Sequence, residues 1–190
     1  MIITPSGCSA ATVSAEGLVA IGLDGIAPGG LAPSSEWPMH AAIYAGDECA
    51  GAIVHTHADA CTALACLNEP LPAFHYMVMS FGGDDVRCAP YATFGTAQLA
   101  ERAAAAIQGR SACLLANHGM IVHASDPLGA LEAALRLETL ARQYLLARSA
   151  GTPRILTAAE MHAARERFKT YGPTRTIGSL AIDRAKEVLP

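Results

Sequence analysis

Apolar and polar positions follow two different periods along this chain, and the two periods separate predicted strands from predicted helices. Short apolar runs bounded by glycine, proline or aspartate are typical of buried strands. The last two such runs flank a corner and form either a hairpin or one sharply bent strand. On this basis strands are predicted at residues 2–3, 18–21, 51–57, 86–89, 112–116 and 120–123.

Helices are marked by apolar residues three and four positions apart. Thr157 is a candidate cap for the last of them, and Gly109 ends an alanine-rich one. Residues 74–79 fit either a strand or a short helical turn. Helices are therefore predicted at residues 35–45, 58–67, 96–108 and 157–168, with the longest running on from residue 127.

The longest helix has clear start signals, with Ser125 or Asp126 as its cap and Pro127 at its first position. Glu138 lies within it and is predicted to pair with Arg142 one turn later, which is a structural role. The helix should pack across the sheet. The apolar residues predicted to form that packing face are Leu128, Leu131, Leu135, Tyr144 and Leu145.

Candidate chemistry appears first in the apolar run that ends at His57. His55 and His57 stand two residues apart, and side chains at that spacing share one face of a strand. Two imidazoles about 6 to 7 Å apart at the backbone can chelate a divalent cation. The alternative is that both rings only hydrogen-bond at the end of a strand.

Two further residues point to a metal. His118 ends another apolar run, and Gly119 after it allows a tight turn where a ligand approaches. Upstream, residues 34–40 predict a helix start with a serine hydroxyl as cap and Glu36 in the first turn. Three histidines leave a coordination position open, as catalytic zinc requires. A nearby carboxylate would fill that position or act as a base.

Composition limits the fold and the partners. A chain of 190 residues fits a single domain, residues 1–190, and 52% hydrophobic against 16% charged residues favours a large core and a homo-oligomer. The net charge of -4, without a basic cluster, argues against nucleic acid or a membrane as partner. A small molecule is the expected ligand.

Cysteine usage indicates the compartment. The six cysteines are irregularly spaced, mostly within apolar segments, and form no C-x-x-C pair, so they are interpreted as reduced residues of a cytoplasmic protein. The first residues lack the basic region of a signal peptide, and no long uncharged apolar run predicts a membrane span.

Six motifs follow one another along nearly the whole chain. They are Pro33-Ser-Ser-Glu-Trp37, Val54-His-Thr-His57, Phe74-His-Tyr-Met77, Ala89-Pro-Tyr-Ala-Thr-Phe-Gly95, Asn117-His-Gly119 and Phe168-Lys-Thr-Tyr-Gly172. In sequence and in order these motifs resemble those of the class II aldolase/adducin family. Such ordered agreement is more specific than any one pair of histidines.

The resemblance implies both a fold and an activity. The expected fold is a three-layer α/β/α sandwich around a mixed, largely antiparallel sheet, assembled as a homotetramer with active sites between subunits. The expected activity is that of a lyase, a class II aldolase that needs Zn²⁺, with Mn²⁺ or Co²⁺ as alternatives. It would cleave a sugar phosphate to dihydroxyacetone phosphate and an aldehyde.

The resemblance also implies a role for individual residues. His55, His57 and His118 would hold the metal, and Glu36 would be a metal ligand at rest and a general base in turnover. Tyr76, contributed by the adjacent subunit, would donate a proton to the aldehyde oxygen. Residues implied to bind or cover the substrate are Ser6, Gly7, Ser34 and Ser35 at its phosphate and Tyr171 as a closing residue. The other histidines, His40, His75, His123 and His162, are predicted to pack or to face solvent, with a place lining the pocket as the alternative for His75.

One departure from the family and two alternatives remain. Relatives carry an N-terminal segment with a Gly-Asn-x-Ser motif ahead of the turn at residues 4–7, and this chain is expected to lack it and to bind phosphate less well. The same metal site would also serve a sugar phosphate epimerase or dehydratase. A non-catalytic adducin-like module is the other alternative, although such a module is expected to lose Glu36 and the histidines.

Overall fold

The computed structural model of the chain describes residues 1–9 and 11–170, and its elements follow the predicted order closely. The strands are β1 (Ile2–Ile3), β2 (Val19–Ala20), β3 (Ala52–Thr56), β4 (Cys88–Ala89), β5 (Ala112–Leu115) and β6 (Gly119–Ala124). The α-helices are α1 (Trp37–Gly46), α2 (Asp59–Ala65), α3 (Ala97–Ile107), α4 (Pro127–Ala150) and α5 (Ala158–Phe168). Two 3₁₀ helices, Ala15–Gly17 and Tyr76–Phe81, complete the described elements.

The main sheet has the strand order β3-β6-β5-β4. β6 pairs antiparallel with both β3 and β5, whereas β4 and β5 run parallel. β5 and β6 therefore form the hairpin that was one of the two predicted arrangements. The mixed, largely antiparallel sheet is confirmed. β1 and β2 form a small antiparallel pair outside it.

The two central strands send alternate side chains into two separate cores, as the period of a strand requires. On β5, Leu114 packs in the core that contains residues of α2 and α4, and Cys113 and Leu115 pack in the core that contains residues of α1 and α3. On β6, Val122 and Ile121 divide in the same way. Helices thus cover both faces of the sheet, which confirms the three-layer α/β/α fold.

Helix α4 begins as predicted but packs through a different face. Pro127 is its first residue, and Asp126 caps it by accepting a hydrogen bond from the Gly129 amide at 2.9 Å. The predicted packing face is wrong at three of its positions, because Leu128, Leu131 and Leu135 are 65%, 49% and 60% exposed. Alanines take their place because their small side chains let α4 lie close to the layer beneath it. The buried face consists of Ala130, Ala134, Leu137, Leu140, Ala141 and Tyr144.

The ambiguous segment at residues 74–79 resolves into a helical turn. It becomes the 3₁₀ helix Tyr76–Phe81, which His75 caps by accepting a hydrogen bond from the Met77 amide at its Nδ1, at 3.1 Å. No helix within the described residues combines the length and the apolar character needed to cross a bilayer.

Candidate metal centre

Three separate parts of the fold bring four potential ligands together. β3 carries His55, and His57 follows one residue after the strand ends. The turn between β5 and β6 carries His118, and Glu36 lies just before α1. One ligand atom from each of the four residues lies within 4.8 Å of the others. This distance is short enough for a single ion to contact all four.

The predicted alignment of His55 and His57 is present in the structure. Their ring centroids lie 5.1 Å apart. The centroid of the His118 ring lies 4.9 Å from that of His55 and 4.8 Å from that of His57. His55 Nδ1 lies 2.8 Å from the Met120 carbonyl oxygen on the paired strand. If Nδ1 carries the proton, it donates to that carbonyl and leaves the lone pair of Nε2 directed at the cluster. This acceptor is a backbone atom, so no pattern of side chains in the sequence revealed it.

The turn that carries His118 differs in one detail from the sequence interpretation. Asn117, and not Gly119, has the left-handed backbone conformation, with φ of 54°. Asparagine tolerates that region better than most residues. Gly119 is required for a close approach instead, since a Cβ there would lie 2.4 Å from the Thr56 carbonyl oxygen and 3.1 Å from His57 Cδ2.

Glu36 precedes helix α1 and does not lie in its first turn, which corrects the prediction. It is the N-cap residue, with Trp37 as the first helical residue and Pro38 following. The Glu36 amide donates to Ser34 Oγ at 3.3 Å within the turn before the helix. No side chain among the described residues caps the free amides of α1, so the predicted serine cap is wrong. Its carboxylate reaches both neighbours, with Oε2 2.9 Å from His55 Nε2 and Oε1 3.2 Å from His118 Nε2.

The polar atoms at the centre of this cluster fit a divalent cation. Glu36 Oε1 and His55 Nε2 are buried, yet neither has a hydrogen-bond partner of regular geometry. Buried polar atoms are rarely left unpaired, because they lose their hydration without compensation. Imidazole nitrogens with one carboxylate are a donor set that suits zinc and similar ions. A cation held by these four residues would satisfy both atoms.

The electrostatics of the cluster favour the protonation states that ligate a metal. Burial by itself raises the pKa of Glu36, but the close contact with His55 and the charges of the three imidazoles outweigh it and lower the pKa. Burial lowers the pKa of His118, against the opposing effect of Glu36. An ionised carboxylate beside a neutral imidazole is the state that metal binding requires.

The residues predicted to bind phosphate lie on two paired segments of the chain. The Ser6 amide donates to the Ala32 carbonyl at 2.9 Å, and the Ser34 amide donates to the Thr4 carbonyl at 2.9 Å. Gly7, with φ of 70°, completes the turn after Ser6. Because the bridge between Pro5 and Pro33 is antiparallel, Gly7 and Ser35 continue away from it in opposite directions.

Of the two predicted tyrosines, Tyr76 lies among the described residues and makes its ring contact with a residue outside the cluster. Tyr76 is 46% exposed, and its ring stacks on His75 at a centroid distance of 4.7 Å. Tyr171 lies outside the described residues.

Of the histidines predicted to pack or face solvent, His123 is buried and His162 is exposed. His40 is partly buried, and that burial lowers its pKa to about 4, with His55 contributing further.

Comparison with known proteins gives consistent relatives. The Class II Aldolase and Adducin N-terminal domain family matches residues 1–145. A 5-methylthioribulose-1-phosphate/5-deoxyribulose-1-phosphate aldolase of Rhodospirillum rubrum is 48% identical over 179 residues, covering 94% of this chain and 81% of that protein. The L-fuculose phosphate aldolase of Escherichia coli strain K12 is 42% identical over 173 residues, covering 90% and 80%. A solved structure of L-fuculose 1-phosphate aldolase is similar, with a TM-score of 0.82, 43% identity, and coverage of 87% of this chain and 78% of that one.

Proposed function

The chain belongs to the class II aldolase and adducin family, and from that membership we propose that it is a metal-dependent aldolase acting on a ketose 1-phosphate. It cleaves the sugar phosphate reversibly to dihydroxyacetone phosphate and an aldehyde. The observation that carries this proposal is the convergence of Glu36 with His55, His57 and His118 within 4.8 Å. Zn²⁺ is the proposed metal because imidazole and carboxylate ligands suit it.

The proposed substrate class follows from what the relatives' names share. The motifs quoted above resemble those of bacterial L-fuculose phosphate aldolase, which is 42% identical, and an aldolase named for 5-methylthioribulose 1-phosphate and 5-deoxyribulose 1-phosphate is 48% identical. These sugars differ in the half that becomes the aldehyde. All are ketose phosphates whose other half, the first three carbons, leaves as dihydroxyacetone phosphate.

In the direction of condensation, the Glu36 carboxylate takes a proton from the carbon beside the carbonyl of dihydroxyacetone phosphate. The electron pair left on that carbon forms the new carbon–carbon bond to the aldehyde. The Tyr76 hydroxyl of a neighbouring subunit donates a proton to the aldehyde oxygen, and cleavage reverses these transfers. A bound divalent cation supplies Lewis-acid stabilisation of negative charge on the substrate oxygens.

The substrate phosphate is proposed to lie against Ser6, Gly7, Ser34 and Ser35. The free amides at the start of α1 and the serine hydroxyls are suitable donors to an anion there. Tyr171 is proposed to close over the site.

The proposed assembly is a homotetramer with each site shared between neighbouring subunits. Tyr76 is 46% exposed in the single chain, which leaves its hydroxyl available to an adjacent site. Large exposed apolar side chains, among them Leu128, Leu131 and Leu135 on α4, also support burial against another copy.

The function is tested by supplying metal-loaded protein with fuculose 1-phosphate and with 5-deoxyribulose 1-phosphate and measuring dihydroxyacetone phosphate. We expect release from at least one of them. Glu36→Gln retains size but removes the base, so turnover should fall by about 10² to 10⁴-fold while metal binding survives in weakened form.

Three outcomes would contradict parts of this proposal. Conversion to an isomeric or dehydrated sugar phosphate without dihydroxyacetone phosphate would replace the aldolase by an epimerase or a dehydratase. The absence of both metal binding and turnover would favour a non-catalytic module. Unchanged turnover in Glu36→Gln would remove the general-base role.

A further inference from the structure

Helix α2 begins directly after His57 and has no capping side chain of its own. Its N-cap residue is Ala58, which offers no acceptor to the free amides of the first turn. The nearest local contact is a long one, from the Ala58 amide to Thr56 Oγ1 at 3.4 Å. Unpaired amides at a buried helix start are costly, so an acceptor has to come from elsewhere in the fold.

That acceptor is Glu138, from the middle of helix α4. Its Oε1 accepts a hydrogen bond from the Ala60 amide at 2.9 Å, and its Oε2 accepts one from the Cys61 amide at 2.9 Å. The carboxylate thus spans two successive amides of the first turn of α2. We propose that Glu138 is a positioning residue for the metal centre, which fixes His57 by fastening the helix start that follows it.

The His57 ring has fewer polar contacts than the rings of the other two histidines. The His55 ring contacts the Met120 carbonyl at 2.8 Å and the His118 ring contacts the Glu36 carboxylate at 3.2 Å, whereas the His57 ring makes no hydrogen bond to any part of the chain that the structure describes. Metal-bound histidines are usually oriented by a second hydrogen bond. Without one, the position of the His57 ring follows from the course of the chain between Thr56 and Ala60.

The Glu138 carboxylate is mostly shielded from solvent, whereas its partner Arg142 is exposed. The Glu138 side chain is 19% exposed, and Arg142 Nη2 lies 3.2 Å from Oε1 on the solvent side. Burial, followed by the charge of Glu138 and a hydrogen bond to it, raises the pKa of the Cys61 thiol, so Cys61 stays neutral. Hydrogen bonds from amides to a carboxylate are stronger than those between neutral groups.

The proposal rests on the proposed function in that it takes His57 as a ligand, and a double-mutant cycle tests it. Zn²⁺ affinity is measured by competition with a chromophoric chelator for wild type, Glu138→Gln, His57→Ala and the double variant. Glu138→Gln should weaken Zn²⁺ binding by about 10 to 100-fold. In the His57→Ala background the same change should have almost no further effect, because its target is gone.

Two matched variants separate positioning from general destabilisation. Thr157→Ala removes a helix cap on α5, where Thr157 Oγ1 accepts from the Glu160 amide at 3.2 Å. Arg142→Gln removes only the exposed ion pair of Glu138. Both should bind Zn²⁺ as wild type does. The proposal would be overturned if Glu138→Gln and Thr157→Ala bound Zn²⁺ with equal affinity. It would also be overturned if Glu138→Gln weakened Zn²⁺ binding as much in the His57→Ala background as it does in wild type.

A measurement on metal-free protein distinguishes failure of this proposal from failure of the metal site. In Glu138→Gln the amides of Ala60 and Cys61 should exchange hydrogen faster, and the ring resonances of His57 should shift while those of His118 do not. If wild type binds no Zn²⁺, the proposed function fails, and these resonances still decide whether Glu138 fixes His57. Unchanged His57 resonances in Glu138→Gln would refute the positioning role.

Discussion

At the scale of single residues, Gly119 is constrained by the space around it. The Thr56 carbonyl and the His57 ring occupy the volume that a side chain would need, since a Cβ at Gly119 would lie 2.4 Å from that oxygen. Gly119→Ala is therefore expected to separate β6 from the end of β3. We expect it to lower the unfolding free energy by about 1 to 3 kcal/mol, measured by urea denaturation, and to weaken Zn²⁺ binding as His57 is displaced.

Gly46→Ala is the control for that substitution. Gly46 ends α1, and nothing lies within 4 Å of a Cβ built there. Alanine is the better helix former by about 1 kcal/mol, so this variant should be as stable as wild type or more so. An equally stable Gly119→Ala protein with full Zn²⁺ affinity would show that the backbone gives way without moving His57.

At the scale of elements, helix α5 carries its own start signal in a capping box. Thr157 Oγ1 accepts from the Glu160 amide at 3.2 Å, and Glu160 Oε2 accepts from the Thr157 amide at 2.8 Å. Thr157→Ala should lower the unfolding free energy by about 1 kcal/mol. The structure thus confirms the cap that the sequence predicted at this residue.

The capping box also predicts a dependence of stability on pH. The ion pair with Arg154, together with the hydrogen bonds from Thr157, lowers the pKa of Glu160 to about 2 from the model-compound value of 4.5. A carboxylate with a lowered folded-state pKa stabilises the fold above 4.5, and the benefit disappears as the pH falls toward 2. The melting temperature of wild type should therefore exceed that of Glu160→Gln at pH 7, and the gap should narrow below pH 4.5.

Glu101→Gln is the matched control for this comparison. Glu101 lies exposed on α3 and has no ion pair within residues 1–9 and 11–170. The melting temperature of the Glu101→Gln protein should equal that of wild type at each pH. A gap between wild type and Glu160→Gln that stays constant from pH 7 to pH 3 would contradict the assigned ion pair.

At the scale of the whole molecule, the proposed shared site makes a prediction about mixtures of subunits. Tyr76→Phe and Glu36→Gln should each be nearly inactive alone, because each breaks every site of a homotetramer. After unfolding and refolding together in equal amounts, a site that takes Glu36 from one subunit and Tyr76 from its neighbour should recover both groups. Random mixing should restore about one quarter of wild-type activity.

Light scattering is the control for the mixing experiment. It should give the mass of a tetramer for wild type and for each variant. A monomer at micromolar concentration would remove Tyr76 from the proposed site. Tetramers without restored activity in the mixture would place Tyr76 and Glu36 in the same subunit's site. Full activity of Tyr76→Phe alone would place Tyr76 in no site.

Local signals in the sequence determined most of the elements and two of the ligands. The positions of Asp126, Pro127 and Thr157 define helix starts because capping involves residues two or three positions apart. The spacing of His55 and His57 is likewise local, since alternation along a strand places both rings on one side. His118 and Glu36 were candidates from their places at the end of an apolar run and at a helix start, and the family motifs then assigned them to one site with the two histidines.

Only the tertiary structure decided which surfaces meet. Helix α4 has an apolar residue on more than one side, and periodicity alone selected Leu128, Leu131 and Leu135, which are exposed. The buried side was settled by the closer approach that small alanines allow. Similarly, Glu138 fits an ordinary pair with Arg142 in the sequence, yet its main partners are the amides of Ala60 and Cys61, 78 and 77 positions away. Contacts between residues so far apart in sequence depend on how the helices and the sheet pack together. A sequence pattern shows only the periodicity of each helix or strand by itself.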